Sequence, residues 1–188
     1  MIHAFHISNG KVSYLNRWMR TVKWKKEHEE QKALWSSGMD VMNNDPSVSN
    51  IETDGLANTA IVSHAGIIFA LEEAHAPFEF DQMTLESRGS YSFNNKLQGP
   101  VTAHPKIDPI TGELLFFGYM ADGFFSNTIR YTAVSSDGNI SKSELIKAPF
   151  PSMVHDFFAT QKYIIIPVFP LTGAVSYTHL TLPTIPGV

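Results

Sequence analysis

From residue 56 onward the chain is written as short apolar runs broken by turn chemistry, with almost no stretch that repeats at helical spacing. This pattern predicts strands over residues 58–63, 67–71, 113–120, 128–134, 140–147 and 162–169. Between them stand His64-Ala65-Gly66, Asp108-Pro109-Ile110-Thr111-Gly112 and Ser136-Asp137-Gly138-Asn139, whose Gly, Asn, Asp and Pro residues suit tight reversals. The predicted architecture is all-β and made of antiparallel hairpins. Earlier in the chain, Val12, Tyr14, Trp18, Val22 and Trp24 fall at even positions, as in a strand with one buried face followed by a short helix.

Composition narrows this picture without naming a function. The 188 residues include 13 Phe, 6 Tyr and 3 Trp but only 17% charged residues, a balance that favours strands over disorder. Cysteine is absent, so disulfides, thiolate metal sites and a cysteine nucleophile are excluded, and a metal would need His or carboxylate ligands. Net charge is −4, which gives no reason to expect a nucleic-acid partner. Half of the 14 basic residues lie between Lys11 and Lys32 beside Trp18, Trp24 and Trp35, but Glu27, Glu29 and Glu30 interrupt them, and a solvated face explains the cluster. No apolar run is long enough to span a bilayer and Met1-Ile2-His3-Ala4-Phe5-His6 lacks the form of a secretory signal, so the expected setting is cytoplasmic.

A coarse repeat runs through the strand-rich region. Val62-Ser63-His64, Thr102-Ala103-His104 and Met153-Val154-His155 each precede a turn and then an apolar run, with the histidines 40 and then 51 residues apart. Propeller blades recur at roughly 40 to 50 residues, although a sandwich would also accommodate three such units. Spacing alone does not make a metal motif of these histidines. His64 reads as a structural turn residue, Asp156 as a turn former before Phe157, and His3, His6, His28 and His75 have no partner of evident role.

Several ordered segments resemble the carotenoid cleavage oxygenases, a family of non-haem iron enzymes. They are Asn16-Arg17-Trp18-Met19-Arg20-Thr21, Ala57-Asn58-Thr59-Ala60, His64-Ala65-Gly66, Ala70-Leu71-Glu72-Glu73, Thr84-Leu85-Glu86, Thr102-Ala103-His104-Pro105-Lys106-Ile107-Asp108-Pro109, Thr111-Gly112-Glu113-Leu114 and Met153-Val154-His155-Asp156-Phe157. The resemblance implies a seven-bladed β-propeller, of which this chain holds several N-terminal blades. It further implies Fe(II) on the propeller axis, with His104 and His155 as two of four histidine ligands and Glu73 as the carboxylate behind a ligand ring, that of His155. A carboxylate there would fix the histidine tautomer. The reaction implied is cleavage of a conjugated carbon–carbon double bond by dioxygen, on an apolar polyene substrate, with peripheral membrane contact in the full-length protein.

Two departures from the family pattern refine these expectations. Stilbene-cleaving members carry a lysine immediately before the carboxylate position, where it engages a substrate phenolate; this chain has Glu72, which leans toward a carotenoid or apocarotenoid and leaves stilbene cleavage as the alternative. Residues 174–188 match nothing in the family and read as a non-native tail, the translation of a sequencing adapter, so residues 1–173 are taken as the partial propeller domain and His179 is not enlisted as a ligand. The remaining two histidine ligands are expected outside this chain. Other classes fare less well. No Gly-x-Ser-x-Gly elbow supports a hydrolase and no glycine-rich phosphate loop occurs, while a non-catalytic propeller binding module stays open if His104 and His155 diverge.

Overall fold

A computed structural model describes residues 1–36 and 43–169. The adapter-like tail of residues 174–188 and His179 lie outside the described residues. Twelve strands and one helix order the described chain: β1 (Ile2–Ser8), β2 (Lys11–Arg17), α1 (Val22–Glu30), β3 (Ala60–His64), β4 (Ile67–Leu71), β5 (Phe78–Phe80), β6 (Ser87–Ser90), β7 (Lys106–Ile107), β8 (Leu114–Tyr119), β9 (Thr128–Val134), β10 (Ile140–Lys147), β11 (Phe158–Ala159) and β12 (Ile164–Ile165). Each strand pairs antiparallel with its sequence neighbour inside four sheets: a β1–β2 ribbon, two four-stranded meanders β3–β6 and β7–β10, and a β11–β12 pair.

Turn chemistry sets the hairpins. Ala65 and Gly66 both take positive φ, 49° and 79°, which is the two-residue turn whose twist matches the strands it joins, β3 and β4. Asp108 closes the β7–β8 reversal by accepting from the Ile110 and Thr111 N–H groups, and Asp137 ties the β9–β10 reversal through Asn139.

Strand alternation then stacks the sheets face to face. Ile68 and Ala70 of β4, with Phe78 and Phe80 of β5, pack toward Ile2, Met19 and Leu85. Phe69 turns the other way, onto Tyr91 and Phe93 at centroid distances of 5.1 and 6.1 Å. Strand β8 is buried on both faces: Leu114 and Phe116 meet Phe93, Val101 and Val134, while Leu115 and Phe117 meet Ile129, Val154 and Phe157. Successive meanders that bury one another's faces are blades of a propeller. The four-stranded blades support the all-β, partial-propeller fold.

The sequence pattern locates β4, β9 and β10 at their observed bounds and β3 and β8 to within two residues. Two expectations fail. Of residues 162–169 only Ile164–Ile165 form a strand. The even-numbered face of the N-terminal segment is not buried, because Val12, Tyr14 and Trp18 are 63%, 51% and 56% exposed. There the alternation is present with its faces reversed: Ala4 and Leu15 pack on the core, whereas Tyr14 packs locally across the ribbon on Phe5 at 5.0 Å. Val22 and Trp24 belong to α1 instead of a strand, since the Thr21 hydroxyl caps the Trp24 N–H and Lys23–Glu27 and Lys26–Glu30 pairs line the helix. Strands β5, β6, β7 and β11, two to four residues each, are too short to carry a period.

Candidate metal centre

Strand β8 is the scaffold of the site. Residues 101–103 are buried and run beside it, with the Thr102 N–H donating to the Phe117 carbonyl at 2.7 Å. His104 follows at the point where this segment turns toward β7; its N–H is held by the Thr102 hydroxyl at 3.1 Å, and Pro105 comes next. Gly118 makes the approach possible, because a Cβ there would lie 2.1 Å from the Pro100 carbonyl oxygen. The face of β8 that carries Phe117 also anchors the second histidine. Val154 and Phe157 are buried to either side of His155, and the Phe157 ring meets Phe117 edge-on at 5.2 Å.

The two imidazoles converge from segments 51 residues apart. His104 Nε2 and His155 Nε2 lie 3.0 Å from each other, and the ring planes cross at 61°. Behind His155, Glu73 comes from the end of β4, where its buried Oε1 touches the His155 Nδ1 as an ion-pair contact without hydrogen-bond geometry. An ionised carboxylate only accepts, so this contact favours the tautomer with the proton on Nδ1, and the Nε2 edge of the ring faces His104. Glu73, His104 and His155 are the only group of three potential ligands that gathers among the described residues. Glu73 addresses the opposite edge of the ring from the shared Nε2 point, a position from which it can orient the His155 ring.

These donors fit a metal ion. Two imidazole nitrogens bound at right angles to one ion at about 2.1 Å would stand about 3.0 Å apart, which matches the Nε2 separation. Imidazole suits ferrous iron, and a buried carboxylate oxygen whose one polar neighbour is a ligand ring is the outer partner such sites use. Held together, the residues can present two lone pairs to one point while His155 stays 65% exposed on its outer side.

Sequence reasoning missed three contributors. Tyr119, next on the Phe117 face, donates its hydroxyl to Glu73 Oε2 at 3.4 Å. Burial, and after it the charges of Glu73 and Glu72, push the Tyr119 phenol up to about 12. Its folded value exceeds the unfolded value of about 10, so the stability it contributes is complete below pH 10 and is lost as pH climbs to about 12. Ultraviolet titration should therefore show a tyrosinate step near pH 12 that Tyr119→Phe removes; an unchanged titration in that variant would contradict the assignment. The second contributor is Gly118, visible only as a glycine inside an apolar run. The third is the pair Lys106 and Asp156: the Asp156 carboxylate accepts from Lys106 Nζ and from the Phe157 N–H, both at 2.7 Å. Burial alone would raise that carboxyl, but these partners outweigh it and hold it below the ordinary range.

The other histidines stand apart from the site. His64 ends β3 and bonds the Gly112 carbonyl at 3.0 Å, linking the two meanders, and His75 pairs with Glu72, which also accepts from the Ala74 N–H. His3 meets Tyr14 and His28 stacks on Trp24. No helix among the described residues is long and apolar enough to cross a membrane.

Comparison with known proteins agrees with the blades. The sequence profile of the family described as Retinal pigment epithelial membrane protein matches residues 1–183, and the chain belongs to that family, which includes the carotenoid cleavage oxygenases. Isoeugenol monooxygenase of Pseudomonas nitroreducens is 34% identical over 177 residues, covering 94% of this chain and 37% of the relative. Carotenoid cleavage oxygenase 1 of Neurospora crassa is 34% identical over 171 residues, 90% of this chain and 32% of that protein. Among solved structures, the lignostilbene dioxygenase of Pseudomonas brassicacearum superposes with a TM-score of 0.85 at 36% identity, covering 92% of this chain and 36% of that one. The chain thus spans about a third of the length of the proteins it matches.

Proposed function

We propose that this chain is part of a non-haem iron(II) oxygenase that cleaves a conjugated carbon–carbon double bond with dioxygen. The observation that carries this reading is the 3.0 Å convergence of His104 and His155 Nε2 with Glu73 against the far edge of the His155 ring. Bound there, ferrous iron would supply the one-electron and dioxygen chemistry that no side chain can perform. The protein's part is positional. Glu73 faces the His155 Nδ1 and favours a proton there, the Phe117–Phe157 contact anchors the segment that carries His155, and the buried 101–103 run presents His104 opposite.

For the substrate, an uncharged polyene such as a carotenoid or apocarotenoid fits the field around Glu73. The protein's own phenol beside that carboxylate, Tyr119, is held protonated to about pH 12, and a substrate phenolate in the same surroundings would be disfavoured likewise. Glu72, standing where a phenolate-binding lysine would be needed, adds to that negative field and is kept in place by His75. The second reading is an aryl-conjugated alkene, favoured by the 34% and 36% identities to proteins named for isoeugenol and lignostilbene. The test is incubation of the complete iron-loaded gene product with an apocarotenoid, a hydroxystilbene and isoeugenol under labelled dioxygen. Labelled carbonyl fragments from the apocarotenoid are expected. Cleavage of the phenolic alkenes alone would select the second reading, and a folded, iron-loaded protein that cleaves none would overturn both.

A further inference from the structure

We infer that the Lys106–Asp156 ion pair is a clamp that sets the separation of the two histidines, an assignment that rests on the metal reading above. The two histidine segments hang from different sheets: residues 101–107 bond to β8 and β7 pairs with that strand, whereas Phe158–Ala159 pairs with Ile164–Ile165. Across this seam the hydrophobic contact of Phe117 with Phe157 brings the segments together, but ring packing alone permits sliding. Lys106 lies two residues beyond His104 and Asp156 immediately follows His155, so their 2.7 Å bond ties the segments within a residue or two of each imidazole. The tie has two anchors of its own. Asp156 Oδ1 is itself fixed by the Phe157 N–H, and Lys106 Nζ stands 5.5 Å from the Phe157 ring centroid, on its face.

An ion pair with side chains 36% and 50% exposed adds little to global stability, so its use is local. Metal affinity is sensitive to the groups that orient ligands. The pair also cancels charge. Lys106 alone would place an ammonium near the point where a cation is to bind, and Asp156 neutralises it. Loss of the aspartate therefore costs more metal affinity than loss of the lysine, whereas the distance between the two rings reports the clamp itself.

The test compares Lys106→Met, Asp156→Asn, the exchanged pair Lys106→Asp with Asp156→Lys, and His155→Ala in the 188-residue chain. Two readouts are needed: cobalt(II) titration, and the metal-free nuclear Overhauser contact between the His104 and His155 rings. Asp156→Asn is expected to weaken cobalt binding about tenfold and Lys106→Met about threefold. Both are expected to lose the ring contact with little change in melting temperature, and the exchanged pair to restore it. Wild-type cobalt affinity and an intact ring contact in both single variants, with binding abolished by His155→Ala, would overturn the clamp and leave the metal site standing. If His155→Ala binds cobalt like the parent, the metal reading fails; a ring contact that still depends on the pair would then keep the clamp as a geometric device alone, and one that does not would overturn it as well.

Discussion

Gly118→Ala is expected to unseat His104 and to destabilise the chain by about 3 kcal/mol or more, at the upper end for overpacking. The added methyl would stand 2.1 Å from the Pro100 oxygen and 2.7 Å from its carbonyl carbon. These are backbone atoms and cannot swing aside as a long side chain would. Nor can strand β8 retreat, because it lies between β7 and β9 and its Phe117 and Phe116 rings fill two different cores. The clash can be relieved only by moving the 100–103 segment, which breaks the Thr102 to Phe117 bond and carries His104 away from His155. Urea unfolding followed by circular dichroism reads the effect as a large drop in midpoint. A variant with the parent's midpoint and the parent's ring-to-ring contact would refute this account of the glycine.

His104→Ala and His155→Ala are each expected to cost more than about a hundredfold in divalent metal affinity, with Glu73→Gln costing roughly 10- to 100-fold. Each histidine supplies one of the two nitrogens at the shared point, so either truncation leaves a single imidazole. Glu73→Gln keeps the shape of the side chain but removes the charge that holds the proton on Nδ1. Stability should change little in the His155 variant, because that side chain is 65% exposed and its neighbours Val154 and Phe157 do the packing. Isothermal titration with cobalt(II), run beside thermal melts, separates ligand loss from unfolding. Equal affinities in the parent and both alanine variants would remove the basis for a metal site.

Much of this was legible in the chain and the remainder has identifiable causes. The longer strands announced themselves through apolar runs and turn residues, and His104, His155 and Glu73 were marked by the segments that resemble the oxygenase family. Hydropathy alone could not have found them, since His64 has the same local pattern and serves only to bond the Gly112 carbonyl. The N-terminal ribbon misled because alternation gives the two faces of a strand without saying which is inward. Tyr119 was hidden because it ends an apolar run and its use depends on Glu73, 46 residues away. Gly118 and the Lys106–Asp156 pair were hidden for the same reason: their roles lie in contacts across blades, which no local window contains.

His104 and His155 are proposed to bind one metal ion through Nε2 while Glu73 holds His155 from behind. X-ray absorption of the chain loaded with one equivalent of cobalt(II) tests it most directly. Two imidazole nitrogens at about 2.1 Å are expected, falling to one in either alanine variant. A shell of oxygen atoms alone, or an imidazole count unchanged by both substitutions, would contradict it.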